Sequence, residues 1–322
     1  MTGYILRRLV AMLPTLLGLS VILFLLVRLM PGDAALLQAF AGDDLILEGE
    51  TDPAVIEEMR RELGIDKPIP IQYAVWLGET LQLDFGTSYW SRNSVISEIK
   101  RRLPVTIELL VFSVLIAVAT GLVVGVISAV FQDTPIDYVG RLIGVLGLSL
   151  PNFWIALLVI LLPALWWGYL PPLGYSPLTD DPWRNLEQFA LPSLTLGWSL
   201  SASIMRITRS EVLEVLRQDY VRTARAKGLT ETTVVYKHVL RNSLIPVVTV
   251  IGLQIGFLIG GSVVIENVFG LPGLGEFILT AINQRDYPVI QTTVLFAAIG
   301  FLATNLVVDL SYGALDPRIR YE

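Results

Sequence analysis

The sequence contains no cysteine and a single histidine, His238, among its 322 residues. Without cysteine the chain has no thiol for a disulfide bond, for nucleophilic catalysis or for binding a metal. One histidine is too few for the paired imidazoles of an HExxH zinc site or for a relay of histidines. We therefore expect neither a catalytic residue nor a metal site in this chain.

Charge is also scarce, because only 16% of the residues are charged whereas 53% are hydrophobic. The mean hydropathy is +0.64, and soluble domains carry charge on about a quarter of their residues. The net charge of −6 gives no basic signature of a nucleic-acid partner. No GxxxxGK[ST] phosphate-binding loop occurs, so we do not expect the chain itself to hydrolyse ATP. The composition indicates an all-α polytopic membrane protein.

Six stretches are apolar and long enough for a transmembrane helix, which needs about 20 residues. They are residues 9–30, 104–130, 142–167, 189–207, 243–265 and 289–312. The fourth stretch is the weakest. A cleaved signal peptide is an alternative for the first, but its apolar run exceeds the roughly 7–15 residues of such segments. The predicted parts are residues 1–30 with span 1, a segment 31–103, a membrane core 104–312 and a tail 313–322.

Basic residues predict the orientation of these spans. With the amino terminus inside, the inner segments hold 13 Lys and Arg residues, and the two short outer loops hold only Arg184 and Arg285. Both termini are therefore expected in the cytoplasm, in a multi-pass protein of the cell membrane (inner or plasma). Segment 31–103 then lies outside, with helices expected from Asp52-Pro53 to Gly64, over 68–82 and over 94–102. A solvated cap and a docking platform are both open interpretations of it.

A basic tract over residues 206–241 contrasts with the apolar sequence around it, with eight basic and four acidic residues. A topology signal, a membrane-surface helix and a docking element for a soluble partner are three interpretations. Residues 220–227 favour a short helix, and Gly228 stands where a left-handed residue ends one. The second helix is expected from Thr230. We favour docking, with the contact residues Tyr220, Arg222, Thr223, Ala224, Arg225, Ala226, Lys227, Gly228 and Leu229.

The tract RTARAKGL, followed by KHVLRNSLIP, resembles the coupling loop of the first permease subunit in the dipeptide/oligopeptide/nickel ABC-importer family. The generic EAA motif of importer permeases is matched weakly, because Arg222, Thr223 and Arg241 stand where glutamate, alanine and proline are usual. Further blocks are similar to the same family, among them YILRRLVAMLPTLLGLSVILFLLVRLMPGD, LGIDKPIPIQYAVWLGETLQLDFGTSY, IENVFGLPGLGEFILTAINQRDYPVIQ and VVDLSYGALDPRIRY. The resemblance therefore covers the whole chain.

This resemblance implies a type I ABC importer permease with six spans that forms half of a translocation pathway. Its expected partners are a second, paralogous permease, one or two cytoplasmic ATPases, an external solute-binding protein and membrane lipid. The chain is expected to bind no cofactor, because ATP and Mg are used by the ATPases. Dipeptides or oligopeptides are the default solutes, and nickel, glutathione or another small solute are alternatives.

Polar residues at membrane depth are candidates for the translocation pathway. Asn152 and Gln254 lie within predicted spans, and interhelical hydrogen bonding is an equal alternative for both. Glu266 and Asn267 precede the stretch FGLPGLG, which predicts irregular backbone near the external mouth. A stand-alone ion-coupled carrier and an intramembrane enzyme are competing functions. The scarcity of acids inside the spans argues against the carrier, and the lack of a GxSxG-type setting argues against the enzyme.

Overall fold

The computed structural model describes residues 2–29, 57, 58, 60, 61, 64 and 66–315. Apart from an isolated bridge between Thr87 and Ser94, the regular structure in these residues is helical, which confirms the all-α class. The helices are α1 (Thr2–Leu29), α2 (Ile69–Leu81), α3 (Val95–Val130), α4 (Pro135–Ser149), α5 (Asn152–Trp167), α6 (Pro182–Leu216), α7 (Asp219–Ala226), α8 (Glu231–Thr233), α9 (Leu240–Phe269), α10 (Leu274–Gln284) and α11 (Tyr287–Leu315). A π-helical turn, Val234–Val239, joins α8 to α9.

Three stretches in the described part of the chain have the length and apolarity to cross a membrane alone, Leu6–Leu29, Val95–Val130 and Tyr287–Val307. Three bent helix pairs raise the number to as many as six if each pair forms one span. One such pair is α4 and α5, which meet at an angle of 107°. The bend lies at Pro151, which disfavours helical backbone at the residue before it. The structure therefore confirms several membrane spans, and six is the largest number that the described residues allow.

The weak fourth stretch, 189–207, lies within the single long helix α6. This helix contacts α4, α5 and α9, so it occupies the centre of its bundle. Its buried side chains include the polar residues Gln188, Ser193, Thr195 and Thr208. A helix surrounded by other helices need not present an apolar surface to lipid, which explains why its hydropathy is low.

Close approach of α3 to α6 depends on two glycines one turn apart. A Cβ atom at Gly121 would lie 2.8 Å from the Cβ of Ile204, and one at Gly125 would lie 2.7 Å from the Cβ of Thr208. Any side chain at either position would push the two helices apart. The small-residue spacing in span 2 is thus used for packing within the chain.

The chain forms two compact units. The first contains residues 1–104 and 273–300, and the second contains residues 105–272 and 301–322. The apolar core of the first unit is formed by Val27, Val95, Ile99, Leu274, Phe277, Ala281, Tyr287, Val289 and Ile290. Within it the Arg102 Nη1 atom donates to Glu276 Oε2 over 2.6 Å, and the guanidinium lies 4.4 Å from the Phe277 ring centre.

The helix predicted over 68–82 is confirmed as α2. The helix predicted over 94–102 is the first part of α3, which continues past Pro104 to Val130 without a break. The helix predicted from Asp52-Pro53 lies largely outside the described residues, as does the tail after Leu315. Helix α2 packs on α1, where the Phe24 ring centre lies 5.5 Å from that of Tyr73 and 5.7 Å from that of Trp76.

Candidate functional site

The predicted coupling loop, which lies within the basic tract 206–241, folds as a helix, a glycine turn and a second helix, as the sequence predicts. Helix α7 ends at Ala226, and Gly228 follows with φ +78°. The Gly228 amide donates to the Arg225 carbonyl over 2.9 Å, and the Leu229 amide donates to the Ala224 carbonyl over 3.4 Å. A Cβ atom on Gly228 would meet nothing within 4 Å. Glycine is therefore favoured here by the left-handed backbone and not by lack of space.

The inner face of α7 is anchored by Val221, which is fully buried, and by Ala224. They join an apolar cluster whose other buried members are Ala129, Val212, Val234 and Val239. These residues come from the ends of α3 and α6 and from the π-helical turn. Burying a valine side chain contributes about 1.5–3 kcal/mol, so the cluster holds α7 against the helices that flank it. Ala224, one of the predicted contact residues, is thus a packing residue.

The other eight predicted contact residues are exposed in this structure: Tyr220, Arg222, Thr223, Arg225, Ala226, Lys227, Gly228 and Leu229. Arg222 lies 3.6 Å from Asp219, and the two side chains are 72% and 98% exposed. Such a pair contributes little, because water screens it. The exposed surface of the coupling loop therefore presents Arg222 and Lys227 as cations to its surroundings.

Arg225 has a partner within the loop that the sequence analysis missed. Its Nε and Nη2 atoms donate to the two carboxylate oxygens of Glu231 over 2.8 and 3.2 Å. This bidentate pair connects α7 to α8 across the turn at Gly228. Thr230 caps the start of α8, where its hydroxyl oxygen accepts from the Thr233 amide over 3.4 Å. The six-residue spacing of Arg225 and Glu231 does not suggest a pair unless the chain reverses between them.

Tyr220 connects α7 to the start of α9. Its hydroxyl accepts a hydrogen bond from Asn242 Nδ2 over 2.8 Å and donates to the His238 carbonyl over 3.4 Å. His238 itself lies half-buried in the π-helical turn. Turns of this type are frequent at functional positions within helices. The link makes the orientation of α7 depend on where the membrane helix α9 begins.

A buried ion pair fixes the helix that leads into the coupling loop. Asp137, at the start of α4, is fully buried, and its two oxygens accept from Arg209 Nε and Nη2 over 2.7 and 2.8 Å. The Asp133 amide donates to the same carboxylate over 3.0 Å, and Arg141 Nε lies 3.6 Å away. In the sequence, Arg209 stands only as one of the bases in the tract 206–241, with nothing to indicate its partner. The signal available in the sequence was Asp137, an acid two residues after Pro135 in an inner segment where basic residues are expected.

Of the four pathway candidates, Glu266 has the best-defined surroundings. Its side chain is fully buried in α9, and Oε1 accepts a hydrogen bond from the Thr106 hydroxyl of α3 over 2.9 Å. This contact joins α9 to α3. Asn267 is exposed beside it. Helix α9 ends at Phe269, the chain bends through Gly270 with φ +64°, and α10 begins at Leu274, so the irregular backbone expected over FGLPGLG is confirmed.

Asn152 and Gln254 are both half-buried. Asn152 is the first residue of α5, whereas Gln254 lies in the middle of α9. Gln254 is three turns from Glu266, about 18 Å along the helix. The four candidates therefore do not form one cluster along the chain, and two of them share one end of α9.

Comparison with known proteins identifies the family. Residues 121–321 match the model of the binding-protein-dependent transport system inner membrane component, and residues 1–110 match the model of its N-terminal region. Glutathione transport system permease proteins GsiC are similar over all 322 residues and over their own full length. The identity is 45% for Pectobacterium atrosepticum, 44% for Salmonella typhimurium and 43% for Escherichia coli K12.

Solved structures share the fold at lower identity. A chain of the MetNI methionine ABC transporter in an inward-facing conformation aligns with a TM-score of 0.57 and 19% identity, over 69% of this chain and 97% of that one. A chain of an amino acid ABC transporter with histidines aligns with a TM-score of 0.55 and 15% identity, over 68% and 94%. The chain therefore belongs to the binding-protein-dependent transport system inner membrane components, as a permease subunit of an ABC importer of the peptide/nickel type.

Proposed function

We propose that this permease imports a small peptide-like solute and that its coupling loop receives the movement of a cytoplasmic ATPase. The observation that carries the second part is the form of α7. One face of this short helix is anchored by Val221 and Ala224, and the other presents Arg222 and Lys227 to its surroundings. An element that must transmit movement has to be rigid on one side and accessible on the other. The eight exposed residues form the proposed contact set, namely Tyr220, Arg222, Thr223, Arg225, Ala226, Lys227, Gly228 and Leu229, whereas Ala224 supports them from the buried side.

In the proposed topology the chain crosses the membrane six times, with both termini and the coupling loop in the cytoplasm. The asymmetry of Lys and Arg supports this orientation. Segment 31–103 would then be external. A second, paralogous permease would complete the pathway, and one or two ATPases would bind ATP and Mg. An external solute-binding protein would deliver the solute.

For the solute, we infer a short peptide or a peptide-like compound such as glutathione. The similarity to glutathione permeases over the whole chain supports this class. Nickel is the runner-up within the same family. Among the residues that the structure describes, no group of three or more His, Asp or Glu side chains is placed to hold a metal ion. A nickel pathway would thus have to work without a ligand cluster in this part of the chain.

The pathway would include Glu266 and Asn267 at one end of α9, Gln254 near its middle, and Asn152 at the start of α5. Asn152 and Gln254 are half-buried and Asn267 is exposed, and the polar character of all four residues at the predicted membrane depth supports the proposal. Asn152, Gln254 and Asn267 can contact a passing solute through neutral hydrogen-bonding groups, whereas Glu266 would do so through a carboxyl group.

The decisive experiment begins with the complex isolated from its native membrane through a tag on this chain. Mass spectrometry should identify a second permease, one or two ATPases and a solute-binding protein. The complex is then reconstituted in proteoliposomes, and uptake of labelled glutathione, dipeptide and Ni²⁺ is measured with and without ATP. We expect ATP-dependent uptake of glutathione or dipeptide. Uptake of Ni²⁺ alone would overturn the solute class, and uptake without ATP or partners would overturn the coupling role.

A further inference from the structure

The first unit contains a cavity of about 340 Å³ whose charged lining none of the preceding roles explains. It lies where α1 ends and where α2 packs against it. Its charged lining residues are the three bases Arg28, Arg61 and Lys67 and the two acids Glu79 and Asp84. Aromatic side chains of Trp76, Tyr89 and Tyr287 complete the wall. The cavity therefore offers both signs of charge, with cations in excess.

Of the three cations, Arg28 is the one that lies within an apolar stretch long enough to cross the membrane. It occupies the last turn of Leu6–Leu29. Its guanidinium carbon lies 5.4 Å from the Phe24 ring centre. The Nε atom is buried and has no hydrogen-bond partner among the described residues. A charged group at the edge of the apolar layer is costly unless an anion or water meets it. The cavity is the space in which such an anion would fit.

Helix α2 lies beside the membrane-spanning part of α1 and not beyond its end. The Tyr73 hydroxyl is hydrogen-bonded to the Ser20 hydroxyl over 2.8 Å, and Ser20 precedes Leu29 by about 14 Å of helix. On α2 the side chains of Ile69, Ile71 and Val75 are about half exposed. A helix with an apolar exposed side at this depth is typical of the membrane interface.

We propose that this cavity binds the headgroup of a phospholipid that carries a phosphate and a primary ammonium group, as phosphatidylethanolamine does. The phosphate oxygens would accept charge-assisted hydrogen bonds from Arg28, Arg61 and Lys67. The ammonium group would donate to Glu79 and Asp84. The acyl chains would cover Ile71 and Val75, which lie one turn apart on the exposed side of α2.

One observation favours a lipid over a soluble peptide with the same charges. The apolar side chains of α2 need a cover that a lipid supplies and a small solute does not. Tyr89 also lines the cavity, and its phenol can donate to a phosphate oxygen. The site depends on the proposed placement of α1 and α2 in the membrane and not on the identity of the solute. The bound lipid would belong to the outer leaflet, because the proposed topology puts the end of α1 outside.

The test uses the complete importer complex in nanodiscs with equal parts of phosphatidylethanolamine, phosphatidylglycerol and phosphatidylcholine. Native mass spectrometry counts the lipids that stay bound after the disc is removed. We expect retained phosphatidylethanolamine with the unmodified chain. The double substitution Arg28→Gln and Lys67→Gln should reduce the retained lipid about 25-fold, because one base near a lipid surface contributes about fivefold. Lys100→Gln, which removes an exposed base of the same unit outside the cavity, should leave retention unchanged.

A second variant keeps the proposal testable if the double substitution prevents assembly. Glu79→Gln removes one ammonium partner and leaves all three bases, so phosphatidylethanolamine should lose its advantage over phosphatidylglycerol while total lipid stays the same. Equal retention in every variant would overturn the site. Displacement of the lipid by millimolar inorganic phosphate or by a dipeptide would show that the cavity serves a soluble anion or the solute. Transport is measured on the same samples, so loss of uptake is not confused with loss of lipid.

Discussion

Arg209 and Asp137 form a bidentate ion pair, with 2.7 and 2.8 Å between the guanidinium nitrogens and the carboxylate oxygens. The pair connects α6 to the start of α4, and α6 ends at Leu216, with two residues between it and the start of α7 at Asp219. Asp137 is fully buried and the Arg209 side chain is 19% exposed. The direction in which α6 presents the coupling loop therefore depends on this contact.

Asp137→Asn should destabilise the chain by about 2–3 kcal/mol, somewhat less than the loss of a fully buried pair, because Arg209 keeps some contact with water. The neutral amide cannot compensate the guanidinium charge. Thermal unfolding of the purified chain in detergent measures the loss, and ATPase stimulation in the complex should fall with it.

The matched control is Arg222→Gln, which breaks an exposed pair and should change stability by at most about 1 kcal/mol. The double substitution Asp137→Asn and Arg209→Met removes both charges and should recover at least half of the lost stability. If the double variant is no more stable than Asp137→Asn alone, the buried charge is not the cause.

Gly228→Ala should weaken coupling without any steric clash. The left-handed backbone at φ +78° costs an alanine about 1–2 kcal/mol, and nothing lies within 4 Å of the new Cβ atom. Gly228→Asn should retain more activity, because asparagine tolerates this conformation better. The measurement is solute-stimulated ATPase activity of the reconstituted complex.

Gly18→Ala serves as the control for this prediction. Gly18 also has open space around its Cβ position, but its backbone is helical. Alanine there should be neutral or slightly stabilising. Equal activity of Gly228→Ala and Gly228→Asn with the unmodified complex would mean that the turn at Gly228 does not set the position of α7.

The helix–turn–helix form of the coupling loop was predictable because its signals are local. A helix-prone run, a glycine at the end and a threonine at the next start act within a few residues of one another. The same holds for α2 and for the irregular backbone after Phe269. Each of these elements is dictated by neighbouring residues and not by distant packing.

The Arg209–Asp137 ion pair and the Thr106–Glu266 hydrogen bond were not predictable, because they join residues that only the fold brings together. Arg209 and Asp137 are 72 positions apart, and Thr106 and Glu266 are 160 apart. The low hydropathy of the fourth apolar stretch, residues 189–207, also results from contacts that only the fold creates. Its polar side chains are buried against other helices of the bundle, so the sequence alone suggested a weak membrane span and not a central helix.

Arg225 and Glu231 should be exchangeable. Arg225→Glu alone places two carboxylates together and should reduce coupling, since the bidentate pair across the turn is lost. Adding Glu231→Arg restores an ion pair in which the two charges have exchanged positions. ATPase stimulation should then return to at least half of its original value. Failure of the exchange to restore activity would assign Arg225 to direct contact with the ATPase.

Arg222→Glu and Lys227→Glu should each weaken assembly with the ATPase. Both side chains are exposed cations on the outer surface of α7 and the turn that follows, and reversing one charge in an exposed interface pair changes binding by about 1 kcal/mol, or fivefold. Lys237→Glu, at an exposed base in the π-helical turn outside the contact set, is the matched control. The readout is the ATPase concentration needed for half-maximal assembly, and an equal effect of all three substitutions would indicate a general response to charge.

Glu266→Leu should destabilise the second unit by about 1–3 kcal/mol, because the buried Thr106 hydroxyl loses the carboxylate oxygen to which it donates. Glu266→Gln keeps a carbonyl acceptor and should be close to neutral for folding. Uptake then separates structure from transport. If Glu266→Gln folds normally but loses uptake, the charge itself serves the pathway, whereas normal uptake reduces Glu266 to a helix-packing residue. Asn267→Ala, at the exposed neighbour, should change stability by less than about 0.5 kcal/mol.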